Sequence, residues 1–239
     1  MDHPISVAID GPSAAGKSTL ARMLAARLGF LYVDTGAIYR TVGLFVYRQQ
    51  VNPRDEAAVS SLLDTLQIHL RYEDDGLQHM YLGEEDVSNA IREHLMSQYA
   101  SDVSTLPSVR QFLLSMQRSL AASGNVVMDG RDIGTVVLPH ADVKIFLTAS
   151  AEERARRRFL ELQERGEITP YETVLQDIRQ RDLQDQTRAT APLKQAEDAV
   201  LIDSTHHSIE ECLCIIGSLV KSVQMKPISR SHTQNGDNG

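Results

Sequence analysis

Tryptophan is absent from this 239-residue chain, and cysteine occurs only twice, at Cys212 and Cys214. The two lie two residues apart in a helical pattern and point to different faces. Neither a disulfide framework nor a cysteine-rich zinc site can be built from them, and they read as small buried apolar groups. His206 and His207 have no third ligand nearby in the sequence, which speaks against a metal role. No apolar run approaches the roughly 20 residues that a membrane span needs. The opening MDHPISVAID is acidic and enters a strand at once, unlike a signal or transit peptide, so a cytoplasmic protein is expected. Positive charge is in the minority: 24 Lys and Arg against 32 Asp and Glu give a formal net charge of −8. That balance disfavours a nucleic-acid partner, whose backbone demands a basic surface, whereas small anions need only a local group of arginines.

What is present has the pattern of an α/β protein. Five short, nearly continuous apolar runs, at 5–10, 30–34, 125–129, 143–147 and 199–203, suit strands covered on both faces. Helical stripes fall between them. Leu20, Met23, Leu24 and Leu28 form one, with Arg22 and Arg27 off it. Val109, Phe112, Leu113, Met116 and Leu120 form another, opened by Pro107 and closed by Gly124. Capping boxes are predicted at Ser150 with Glu153, at Thr169-Pro170 with Glu172, and at Ser208 with Glu211. The alternation predicts a three-layer fold around a five-stranded parallel sheet. Two regions depart from it. Residues 67–82 read as an inserted β-hairpin around an EDDG turn, and 150–190 as two arginine-rich helices. From about residue 224 the chain is polar and aperiodic, as in a disordered tail.

The strongest local signal is Gly11-Pro12-Ser13-Ala14-Ala15-Gly16-Lys17-Ser18, followed by Thr19, at the first strand-to-helix junction. It fits the G-x-x-x-x-G-K-[ST] phosphate loop in full. The glycines let successive N–H groups face one anion, and the helix adds its positive N-terminus. Lys17 supplies a mobile charge to the β- and γ-phosphates of ATP, and the Ser18 hydroxyl is suited to ligate Mg²⁺. The DxxG and NKxD strings of a GTPase are both missing. Small size and the arginine-rich insertion favour a kinase of a small metabolite.

Further motifs narrow the family. They are Asp34-Thr35-Gly36-Ala37-Ile38-Tyr39-Arg40, then Gly83 to Ser88 with Ile91-Arg92, then Ser101, Arg110 and Gln117-Arg118. Asp129-Gly130-Arg131-Asp132-Ile133-Gly134-Thr135-Val136-Val137 follows, then Glu153 to Arg158. Last come Arg181-Asp182, Asp185, Arg188 and Ala191-Pro192-Leu193. In this order, from residue 5 to about 220, the chain resembles the bacterial cytidylate kinases, P-loop kinases of nucleoside monophosphates. The resemblance implies transfer of the γ-phosphoryl group of ATP to CMP and dCMP. It also implies one kinase domain over 1–223, with a CMP-binding insertion at about 36–105 and a helical lid at about 150–190.

By the same resemblance, Arg40, Arg131 and Arg188 hold the CMP phosphate, Arg181 and Asp185 meet the pentose hydroxyls, and Ser101, Arg110 and Asp132 read cytosine. Thr35 stands where serine is common in the family and keeps the hydroxyl. Lys17, Arg131 and Arg188 are the expected catalytic cations. The chemistry agrees, since an acid facing the cytosine amine and an arginine facing its acceptors would tell it from uracil. Arg181, Asp185 and Arg188 fall at i, i+4 and i+7, on one face of a lid helix. Arg154 and Arg158 share a face from which either can reach the ATP phosphates, and Arg158 is the one assigned to them. Arg156 is expected to be solvated, with pairs such as Glu152–Arg156 and Glu153–Arg157 along the helix. Asp34 and Asp129 end strands beside the phosphate loop, where each suits either the metal's surroundings or a loop cap. A monomer is expected. The alternatives are a P-loop kinase of another small acceptor, such as UMP or a metabolite, and a nucleotide-dependent regulatory or RNA-binding module. The acidic net charge speaks against the second.

Overall fold

The computed structural model describes residues 4–74 and 76–225. Along the chain run β1 (Ser6–Asp10), α1 (Lys17–Leu28), β2 (Leu31–Asp34), α2 (Thr35–Arg48), α3 (Glu56–Leu63), β3 (Ile68–Tyr72), β4 (Gln78–Leu82) and β5 (Glu85–Asp86). There follow α4 (His94–Val103), α5 (Pro107–Ala122), β6 (Val126–Gly130), β7 (Val143–Thr148), α6 (Ala151–Glu164), α7 (Tyr171–Thr187), β8 (Val200–Asp203) and α8 (Ile209–Gln224).

The five predicted parallel strands form one sheet in the order β2-β6-β1-β7-β8. The apolar runs of β1 and β6 are continuous because helices cover both faces, whereas edge strand β8 buries Ile202 and leaves Val200 and Leu201 exposed. On one side Ala8, Val33 and Met128 pack with Ile38 of α2 and Leu113 of α5. On the other, Val7, Ile9 and Val127 meet Leu20 and Leu24 of α1 and Leu213 and Ile216 of α8. The phosphate loop lies between β1 and α1, at the C-terminal edge where α/β proteins bind ligands. A separate apolar cluster of Ala155, Leu162, Val174 and Ile178 holds α6 against α7.

The predicted hairpin is β3 with β4, and the two-residue β5 adds a third strand beside it. The hairpin is tied to β2, the edge strand of the main sheet. Gln78 Oε1 accepts from Asp34 N at 2.7 Å, and Tyr72 OH donates to Tyr32 O at 2.6 Å.

Several local expectations need correction. Only Ser208 and Glu211 form a reciprocal capping box. Ser150 does cap α6, but the Glu153 carboxylate turns to Arg156 and Arg157 instead of returning to the cap. Pro170, not Thr169, occupies the N-cap of α7, so no box forms there. Cys212 is buried as expected, whereas Cys214 is exposed on the opposite face of α8. That helix ends at Gln224, about where the tail was expected to begin; residues 226–239, on which that expectation falls, lie outside the described residues. Among the described residues no helix is long and apolar enough to cross a membrane.

Candidate active site

The phosphate loop is shaped by close packing and by positive φ. At Gly11 a Cβ would fall 1.9 Å from Leu147 O of β7, so only glycine lets β1 leave the sheet here. Ala14 and Gly16 adopt φ of 58° and 89°, which curls the loop toward the start of α1. No side chain caps that helix, so its first N–H groups stay available to an anion. Lys17 is buried, and its Nζ donates to Pro12 O at 2.6 Å. Burial, and then the neighbouring Arg131, hold its pKa well below the usual lysine range. Ser18 Oγ donates to Asp129 Oδ2 at 2.8 Å, and Tyr32 OH to Asp129 Oδ1 at 3.0 Å. Burial, and then Asp34, push the Asp129 carboxyl up to about 6. Asp34 itself caps α2 through Ala37 N and pairs with Arg40 at 3.0 Å.

Opposite the loop is a second group of polar side chains. Arg131 Nε donates to Asp185 Oδ2 at 2.9 Å. Asp132 pairs with Arg110, and more loosely with Arg188 at 3.5 Å. Arg110 also donates to Ser104 O, and its guanidinium lies 5.7 Å from the centroid of the Tyr39 ring. Burial pushes the Tyr39 hydroxyl up to about 12 and brings Arg181 down to about 10. Among the described residues, four buried donors in this region, Arg40 Nε, Ser101 Oγ, Arg181 Nε and Arg188 Nη2, make no hydrogen bond to the protein, and Arg188 Nη2 has only its loose ion pair with Asp132. Buried polar atoms are nearly always bonded, so these mark where a polar ligand is required.

One cleft of about 880 Å³ joins the two groups. It is lined by residues 13–19 of the loop, and by Thr35, Arg40, Ser101, Arg110, Arg131, Asp132, Arg158, Arg181, Asp185 and Arg188. Gly11 and Pro12 lie behind the lining. Eleven arginines and one lysine face seven carboxylates around it, so the cleft is cationic within an acidic chain.

Some residues act differently from expectation. The Thr35 hydroxyl donates to Asp129 O at 2.7 Å and so fixes the backbone beside the cleft. Arg154 does not line the cleft. It donates to Ala149 O and Ser13 O and doubly to Asp182, which makes it a buried tie between the phosphate loop and α7. The predicted Glu152–Arg156 pair is replaced by Glu152–Arg179 at 2.7 Å, because α7 packs alongside α6. Glu153–Arg157 forms as expected, and Arg158 pairs with Glu161 at 3.2 Å. Arg188 stands just past the end of α7 with ψ of 140°, so the end of the helix places it rather than helical periodicity. Asp10, Tyr32 and Tyr39 were not singled out from the sequence. The repeated Asp at strand ends and the Tyr inside D-T-G-A-x-Y-R were the available signals.

The model of the family described as cytidylate kinase matches residues 7–223. The chain belongs to this family. A cytidylate kinase from Caldicellulosiruptor bescii is 51% identical over 209 residues, covering 87% of this chain and 92% of that one. One from Carboxydothermus hydrogenoformans is 48% identical over 220 residues, covering 92% and 97%. One from Lactiplantibacillus plantarum is 45% identical over 224 residues, covering 94% and 98%. Within the family match fall the phosphate loop from Gly11, the cationic cleft and both arginine-rich helices.

Proposed function

We propose that the cleft binds ATP at the phosphate loop and CMP or dCMP opposite it, and transfers the γ-phosphoryl group to give CDP or dCDP. The carrying observation is the set of four buried donors that make no hydrogen bond among the described residues, three of them arginine nitrogens, at a cleft shared with the phosphate loop. Membership of the cytidylate kinase family supports the same acceptor.

Phosphoryl transfer needs the reacting groups aligned, the charge neutralised and water kept out, with little covalent help. The acceptor phosphate needs no strong base, because a phosphate monoester is largely ionised at neutral pH, with a second pKa of about 6. Arg40, Arg131 and Arg188 hold that phosphate in line, and Lys17 leaves the Pro12 carbonyl for the oxygens of the transferred group. Arg158 steadies the donor phosphates. Arg181 and Asp185 meet the pentose, while Asp132 accepts from the cytosine amine and Ser101 and Arg110 serve its acceptors.

The residues present fit a magnesium ion. Ser18 and Asp129 form a hydroxyl–carboxylate pair, and Asp34 lies near enough to raise the Asp129 pKa by repulsion. Mg²⁺ is usually held by one or two protein oxygens together with phosphates and waters. Ser18 would hold it with Asp129 behind, and the ion would spread the charge of the β- and γ-phosphates.

Residues 36–105 would then serve as the acceptor insertion and 150–190 as the lid of a single domain over 1–223. A cytoplasmic monomer suffices, since one chain supplies the whole cleft. The test is a panel of CMP, dCMP, UMP, AMP and shikimate with ATP and Mg²⁺. CDP and dCDP are the expected products; a faster rate on UMP, AMP or shikimate than on CMP sinks the reading.

A further inference from the structure

The loop after β6 winds into a π-helical turn, Ile133–Val137, with Asp132 at its N-cap position. A helical turn leaves its first N–H groups without carbonyl partners, and an aspartate at the N-cap ordinarily accepts from them. Asp132 does not. Its side chain makes no capping bond, and its carboxylate pairs instead with Arg110 and Arg188. The two N–H groups go to Asp10, the last residue of β1. Ile133 N donates to Asp10 Oδ1 at 2.8 Å, and Gly134 N to Asp10 Oδ2 at 2.7 Å. Asp10 is only 5% exposed and directly precedes Gly11 of the phosphate loop. At Gly134 a Cβ would stand 3.4 Å from Asp10 Oδ2 and 3.2 Å from Lys144 Cδ, so the missing side chain makes room for the contact.

We propose that Asp10 is a positioning residue for acceptor recognition: it caps the turn in place of Asp132 and so releases the Asp132 carboxylate to the acceptor pocket. It also fixes the register of that pocket against the phosphate loop, because its backbone leads directly into Gly11 while its carboxylate holds the turn. The inference rests on the reading of the cleft as a CMP site.

The chemistry of the cap sets the test. A carboxylate offers an acceptor oxygen to each N–H, whereas a carboxamide offers one oxygen and turns its own N–H groups toward the second donor. In Asp10→Asn one amide of the turn loses its acceptor, and Asp132 is the nearest carboxylate able to replace it. Once Asp132 turns back, Arg110 loses its paired carboxylate and Arg188 keeps only Asp185, at 3.9 Å, while Lys17 and Ser18 make no hydrogen bond to Asp10 and keep their own partners. The expected signature is a split. KM for CMP rises about tenfold or more and KM for ATP moves less than about twofold, as loss of a buried charged acceptor predicts. The preference for CMP over UMP falls with it. Adding Asp132→Asn to Asp10→Asn costs little more, since the same carboxylate is already lost.

Equal shifts in both KM values, or full additivity of the two substitutions, overturn the proposal and leave Asp10 a purely structural residue. A wild-type chain that ignores CMP sinks the CMP reading instead. Hydrogen exchange on the wild-type chain tests the cap without any variant or substrate. The Ile133 and Gly134 amides should exchange slowly, and fast exchange of both in the folded protein overturns the proposal.

Discussion

At the scale of single residues, the cleft holds its ligand-binding groups in two different ways. Lys17 is buried beside Arg131, and among the described residues its ammonium hydrogen-bonds only the Pro12 carbonyl, so a phosphate improves its surroundings. Lys17→Ala is expected to lower kcat by about 10²–10³, in the range of losing one donor to a developing oxyanion. The variant's melting temperature should match or exceed that of the wild type, because a desolvated ammonium is removed. Initial rates and a thermal melt check both halves, and kcat within about tenfold of wild type refutes the role. Ser101 illustrates the second way. Its buried hydroxyl has no protein partner, so Ser101→Ala should leave stability unchanged. It should raise KM for CMP by about 2–10-fold, the worth of one neutral hydrogen bond. Isothermal titration with CMP decides it; unchanged affinity removes Ser101 from the acceptor pocket.

At the scale of elements, Arg154 is the joint between the phosphate loop and the arginine-rich helices. Its side chain, 5% exposed, meets Ser13 O, Ala149 O and both oxygens of Asp182. Arg154→Ala leaves Asp182 unpaired and is expected to cost about 3–5 kcal/mol in urea unfolding. It should also raise KM for ATP and CMP together, since α7 carries Arg181 and Asp185; a loss below about 1 kcal/mol marks the pair as an ordinary surface bridge. This joint was hidden in the sequence, where Arg154 shared a face with Arg158 and read as a candidate for the ATP phosphates. Only the packing of α6 on α7 separates them. The parallel strands were legible to within a residue because each is an unbroken apolar run, which burial on both faces explains for β1 and β6 but not for the exposed edge strand β8. β5 was not, since two exposed acidic residues carry no period, and the π-helical turn was not, since its cap lies in β1.

At the scale of the whole molecule, the sequence showed an acidic chain and the fold shows where the minority charge went. Eleven arginines converge on one cleft; Arg40, Arg131 and Arg188 were expected together at one phosphate, whereas Arg22 and Arg165 belong to no motif and only the fold brings them to the same cleft. Carboxylates enclosed with them have a consequence for stability. Asp10 and Asp129 both have folded-state pKa values pushed from 3.8 up to about 6, in each case chiefly by burial. An acid whose pKa is raised on folding binds its proton more tightly in the native state than in the unfolded chain. Its contribution to stability is therefore full below about pH 4 and is lost as pH rises through about 6. Exposed Asp86 and half-buried Glu153 act in the opposite sense, with pKa values lowered to about 2 by their hydrogen-bond partners, so their support is lost only below about pH 4. The ligand-free protein should therefore melt at a higher temperature near pH 5 than at pH 7.5. A Tm that is flat or falls between pH 7.5 and pH 5 means that the two buried carboxylates are ionised without penalty. Substitution of Asp129 by Asn should flatten part of that slope by raising stability at pH 7.5 while abolishing turnover, because the same buried charge that weakens the fold lies behind Ser18 at the phosphate loop.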